Sequence, residues 1–243
     1  MRSGAAAFFV ATLVLAAGAG TGAGAQGNPP RAPVLSSFAQ EKARALLRDK
    51  LSCLGCHYAD GQGGIIGPDL SRGSTRSAGQ ILRMMRAPRQ TAPAGTMPAI
   101  VLRDEVALLI ATYLAALDTP PGPAGGDTLR ARLPRGPPGG SGAQLYAQLC
   151  SACHGDTGNG DGPNARFLPV PPARHASAAV MSTRTDDRLY DAIAAGGAPL
   201  GRSPRMPPFG ASLDDAQIRA LVAHIRTLCQ CTGPAWSRDG ARP

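Results

Sequence analysis

Apolar residues recur at helical spacing in six stretches of this chain, set apart by runs rich in glycine and proline. In the first, Ser37-Phe38-Ala39-Gln40 has the S-x-x-Q form of a capping box, which predicts a helix from there to about Lys50. Phe38, Leu46 and Leu47 are the candidates for its buried side. Gly79 to Arg86 reads as a short helix that ends before Pro88. Arg103 to Leu117 carries Val106, Leu109, Ile110, Tyr113, Leu114 and Leu117 along one face.

The second half repeats this order. Ser141 is placed to cap a helix bearing Leu145, Tyr146 and Leu149. Thr185-Asp186-Asp187 starts another, through Leu189, Tyr190 and Ile193, that stops at Gly196-Gly197. Asp214 to Leu228 places Ile218, Leu221, Val222 and Ile225 on one side. No strand pattern competes, so the expected fold class is all-α. Gly61-Gln62-Gly63-Gly64 is expected to be irregular. A Pro/Gly stretch from Thr119 to Gly140 has no hydrophobic period and reads as a linker over 119–140, made basic by Arg130, Arg132 and Arg135. The expected organisation is two units, 34–118 and 141–243, in tandem.

Before them, Arg2 precedes an apolar run from Ala5 to Ala17 and a small-residue end, Ala23-Gly24-Ala25. That is the form of a signal peptide over residues 1–25, and it predicts an exported, periplasmic protein. The run is short for a membrane span; an uncleaved N-terminal anchor is the alternative.

Each unit carries the same five-residue pattern: Cys53-Leu54-Gly55-Cys56-His57 and Cys150-Ser151-Ala152-Cys153-His154. C-x-x-C-H is the attachment signature of c-type haem. Two thiols bond the two vinyl groups of one haem, so they must lie about one turn apart. The adjacent histidine, His57 or His154, supplies the proximal iron ligand. Two copies predict two covalently bound haem c groups. A haem also supplies apolar bulk, which suits a chain with only 4% aromatic residues.

The order C-x-x-C-H, then Gly67-Pro68-Asp69-Leu70, then Met-Pro, then a terminal helix resembles the class I cytochrome c family. The resemblance implies that Pro68 packs on the proximal side of the haem, with its carbonyl near the Nδ1 hydrogen of His57; the alternative is a simple turn. Gly158-Asn159-Gly160-Asp161-Gly162-Pro163 resembles the loop after the haem motif in small bacterial cytochromes, including cytochrome c4-like dihaem proteins. By that resemblance Pro163 takes the role of Pro68. A calcium loop is the other reading of this stretch, but it lacks the glutamate of an EF-hand's twelfth position.

A distal thioether raises the potential relative to bis-histidine ligation. Met84 and Met85 lie on the short helix and read as packing. Met97, in Ala94-Gly95-Thr96-Met97-Pro98, lies on a stiffened loop before a helix and is the expected ligand. Met206, in Ser203-Pro204-Arg205-Met206-Pro207, is its counterpart, and Met181 reads as packing. His224 aligns with Tyr113 and reads as structural. His175 has three open readings: it displaces Met206, it lies near the haem propionates, or it lies in solvent with Arg174. Cys229 and Cys231 remain open as free thiols, an interchain pair, a small-ring disulfide with redox lability, or a soft-metal site.

The formal charge of +9 argues for encounter with redox proteins through an acidic docking face, or for peripheral association with a membrane respiratory complex. No nucleic-acid module is present. The function expected is electron transfer between a dehydrogenase or quinol-oxidising complex and a terminal acceptor. The alternative, from another class, is a cytochrome subunit or a catalytic dihaem enzyme of the thiosulfate dehydrogenase type. His175 and the Cys229/Cys231 pair are the features that point to it.

Overall fold

The computed structural model describes residues 34–117 and 140–237. The signal peptide expected over 1–25 and the linker expected over 119–140, its last residue apart, lie outside the described residues. So does the tail after residue 237.

The first half opens with α1, Ser37–Asp49. Its cap is Ser36, whose side chain accepts from Ala39 N, one residue before the expected Ser37. Gln40 bonds Leu35 O instead of closing a box on Ser37. Ala43 and Leu47 face inward, while Phe38, nine residues before Leu47 and so on the opposite face of the helix, is 78% exposed. A short 3-10 turn, Ser52–Gly55, follows. Next comes a two-residue hairpin where only a loop was expected: β1, Tyr58–Ala59, pairs antiparallel with β2, Gln62–Gly63. Asp60 and Gly61 both have positive φ (48° and 86°), the geometry of a two-residue hairpin turn. Helix α2, Ala78–Arg86, starts at a full capping box between Ser77 and Gln80. After a single turn, α3, Pro88–Thr91, and an irregular loop comes α4, Asp104–Ala115. Helices α1 and α2 both pack on α4. Ala43, Leu47, Ile81, Met85, Ile110, Ala111 and Tyr113 form the core there. Burial on α4 is broader than one stripe, because Ala107, Ala111 and Thr112 are covered as well.

The second half builds the same sequence of parts. Helix α5, Gly142–Leu149, is capped by the Ser141/Gln144 box. It runs into the one-turn helix α6, Ser151–His154. A further single turn, α7, spans Ala178–Met181. Helix α8, Asp186–Ala195, is capped by Thr185 and stops at Gly196, which has φ +76°. Helix α9, Asp215–Cys229, carries the Asp214/Gln217 box. Helix α9 packs on α5 and α8. Leu145, Tyr146, Met181, Leu189, Ile193, Ile218, Leu221, Val222 and Ile225 form this second core. Arg226 fastens α9 to the chain before α8, donating to Asp186 at 2.8 Å and to the carbonyls of Met181 at 2.8 Å and Arg184 at 2.5 Å.

Cys229 and Cys231 are joined as a disulfide at the end of α9, with Cys229 buried in the second core. Of the open readings, the structure has the small-ring disulfide. All described residues fall in one contact unit, Ala32–Pro243. Among them, no helix is long and apolar enough to cross a membrane.

Candidate haem-attachment sites

Both C-x-x-C-H segments close one helical turn. His57 N donates to Cys53 O at 2.9 Å, and His154 N donates to Cys150 O at 2.9 Å. Positions i, i+3 and i+4 of such a turn share a face, so two thiols and an imidazole come to the same side. Cys53, Cys56, Cys150 and Cys153 are all free thiols, unlike Cys229 and Cys231. Burial pushes the Cys53 thiol up to about 11 and those of Cys56 and Cys150 up to about 12. They stand as neutral thiols at neutral pH.

At the first site, Nδ1 of His57 lies 2.8 Å from Pro68 O, the hydrogen bond implied by the family resemblance. It holds the imidazole in the tautomer whose Nε2 carries the lone pair for a metal. Gly67 lies flat on the ring; a Cβ there would overlap it. Leu47, Leu54, Leu70 and Tyr113 line a cleft beside this turn.

At the second site the partner differs. Nδ1 of His154 lies 2.9 Å from Ala173 O, so the carbonyl role assigned to Pro163 belongs to Ala173. Pro163 itself is exposed. The physical reason is loop length. The chain runs ten residues beyond Pro163 before it returns across the imidazole. Two residues after Ala173, the ring of His175 stacks on that of His154, with centroids 4.1 Å apart and planes 13° off parallel. Nδ1 of His175 lies 3.0 Å from Tyr146 Oη. Burial, aided by the neighbouring His154, drives the His175 pKa down to about 2, so it is a neutral ring. Of the open readings for His175, a place in solvent is excluded, since the ring is buried against His154. His224 packs edge-on against Tyr146 at 5.0 Å, a structural place as expected.

The five methionine readings separate by environment. Met85 and Met181 are core residues, at 6% and 0% exposed. Thr91 Oγ1 lies 3.0 Å from Met84 Sδ. Met97 and Met206 lie on irregular loops and pack against the rims of the first and second cores. Ile100 N→Met85 O, at 2.8 Å, ties the Met97 loop to α2. Gly197 N→Met206 O, at 3.1 Å, ties the Met206 loop to the end of α8.

These donor sets fit haem c. Each offers two neutral thiols and an oriented imidazole on one face, with a thioether loop in the same half. Arg205 Nη1, buried beside Met206, lacks any partner. Haem brings two carboxylates, the acceptor chemistry that such a donor needs.

Residues 138–225 match the family model described as "Cytochrome C oxidase, cbb3-type, subunit III". A cytochrome c domain over residues 138–225 supports an electron-transfer haem protein, and such a domain implies covalently bound haem c. No curated protein and no solved structure matches the chain.

Sequence reasoning missed three residues of this neighbourhood. Ala173 carried no signal, since any residue supplies a carbonyl. Asn164 and Ser212 carried none either, because their partners lie about a hundred residues away in sequence.

Proposed function

We propose that this chain is an exported dihaem cytochrome c that carries electrons between redox proteins in the periplasm. It would consist of two class I cytochrome c domains in tandem, 34–118 and 141–243, joined by the Pro/Gly-rich stretch 119–140. One observation carries the reading: the first half, outside the matched region, repeats the paired thiols, the imidazole and the carbonyl on Nδ1 that the matched half presents.

Each haem, when bound, supplies a one-electron ferric/ferrous couple. The thiols keep it attached in both states. His57 and His154 hold the iron from one side, oriented by Pro68 and Ala173. Met97 and Met206 would supply the thioether donors, which favour the ferrous state of such a couple. The net charge of +9 favours a partner with an acidic docking face. The likeness of residues 138–225 to a subunit of a cbb3-type oxidase favours delivery to, or peripheral association with, a membrane respiratory complex.

The features that pointed to an enzyme are used otherwise here: His175 stacks on a proximal-type imidazole, and Cys229 and Cys231 are bonded to each other.

The test is the mass and optical redox titration of the exported holoprotein. Two covalent haems, both low-spin with a methionine-to-iron charge-transfer band and positive potentials, are expected. A mass with one haem overturns the dihaem reading. A high-spin haem, or one at low potential without the band, overturns that site's methionine and favours the enzyme of the thiosulfate dehydrogenase type.

A further inference from the structure

Among the described residues, side chains tie the two halves at three places, and each lies on a haem-binding segment. Asn164 is fully buried and bridges the two attachment turns. Its Nδ2 donates to Gly55 O at 2.9 Å and lies 3.2 Å from Cys153 Sγ; its Oδ1 accepts from Ile65 N at 2.8 Å. The second tie is Ser212. Its Oγ accepts from Ala99 N at 2.7 Å, and its carbonyl accepts from Arg89 Nη2 at 3.1 Å. Ala99 lies two residues after Met97 on its loop, and Arg89 lies on α3, which leads into that loop. The third tie is Arg205, the residue before Met206. Its Nη2 donates to Gln62 Oε1 at 3.0 Å. Its carbonyl presses on Gly55, where any Cβ would overlap it.

The pattern is crossed. The loop carrying Met97 is pinned by the second half, and the loop carrying Met206 is pinned by the first. We infer that each half positions the other half's methionine: Ser212 is a positioning residue for Met97, and Gln62 is a positioning residue for Met206 through Arg205. The inference rests on the proposed ligation of the two irons by these methionines.

A neutral thioether is a weak donor, and its hold on iron depends on how well its loop is kept in place. A ligand on a preorganised loop loses less freedom on binding. Removing one hydrogen bond from such a loop shifts the exchange of methionine for an added ligand by about two- to tenfold. Because the anchors cross, displacing one methionine also loosens contacts at the other site, and the effect is reciprocal.

Imidazole is the probe. Ferric holoprotein is titrated with it while the charge-transfer band and the low-spin signals of each haem are followed. Met97→Ala and Met206→Ala first identify which signals belong to which site. Ser212→Ala is then expected to raise the apparent imidazole affinity about two- to tenfold at the site that Met97→Ala identifies, and Ser212→Thr to restore it. Gln62→Ala is expected to do the same at the site that Met206→Ala identifies. Ser212 is only six residues from Met206, so a merely local role would move the second haem instead. That result, or no change at either haem, overturns the inference while leaving the methionines as ligands. If Met97→Ala leaves the bands intact, the ligand assignment itself falls and takes the inference with it. Haem stoichiometry, checked in every variant, separates these outcomes from loss of the haem.

Discussion

His57 and His154 end the same five-residue motif, yet the chain treats the two rings differently. Behind His57 the chain returns quickly, with Pro68 O on Nδ1 and Gly67 against the ring. Behind His154 it wanders further, supplies Ala173 O, and then lays His175 flat on the imidazole with Tyr146 behind it. The first ring is half-exposed and the second is buried. A neutral aromatic stack in place of a glycine leaves the ligand's ring fewer orientations and less water. The same five-residue motif is thus compatible with different surroundings for its imidazole, and the difference resides in loop length.

The comparison breaks most sharply if the motifs are not both attachment sites. Replacing Cys150 and Cys153 by serine is expected to remove one haem and leave the other, read by mass spectrometry and the pyridine haemochrome spectrum. The Cys53/Cys56 pair should behave likewise. If either double variant keeps its full haem content, the equivalence of the two motifs fails.

Next in size are the two cores. Leu221→Ala in the second and Ile110→Ala in the first remove side chains that are each 1% exposed. Each should cost about 2–5 kcal/mol in denaturant unfolding of the holoprotein. A loss below about 1 kcal/mol in one half alone would mean that the haem, not the side chains, dominates that core.

The His175 stack is smaller. His175→Ala should cost about 1 kcal/mol and alter the low-spin electron paramagnetic signals of the second haem only. His175→Phe should keep the second haem's signals, because it keeps the stack. A change at the first haem, or none at either, would show that the stack does not distinguish the sites.

The smallest effect concerns the first cap. Ser36→Ala should cost about 1 kcal/mol, and Ser37→Ala almost nothing, by thermal unfolding. The reverse order would return the cap to Ser37.

What was legible from residues alone was local. The cap at Ser141, the start at Thr185, the stop at Gly196, and the shared face of two thiols and an imidazole each depend on contacts within a turn. Where the signal was doubled, as at Ser36 and Ser37, the cap reading slipped by one position; Phe38 was misplaced for a separate reason, since it lies on the face opposite Leu47. The carbonyl of Pro68 was implied by the family resemblance, and it stands on His57 Nδ1. The same resemblance failed at Pro163, because a longer loop has many paths and backbone carbonyls are chemically alike.

The amino-acid sequence by itself determined that this chain has two C-x-x-C-H motifs, each set among amphipathic helices and each followed by a loop methionine. Those features are periodicities and spacings, and short-range geometry enforces them. Only the tertiary structure decided which carbonyl orients His154, where His175 lies, and that Ser212, Gln62 and Asn164 join one half to the other. Those contacts span up to about 140 residues, and their formation depends on how the two cores pack the loops between them, which no local pattern encodes.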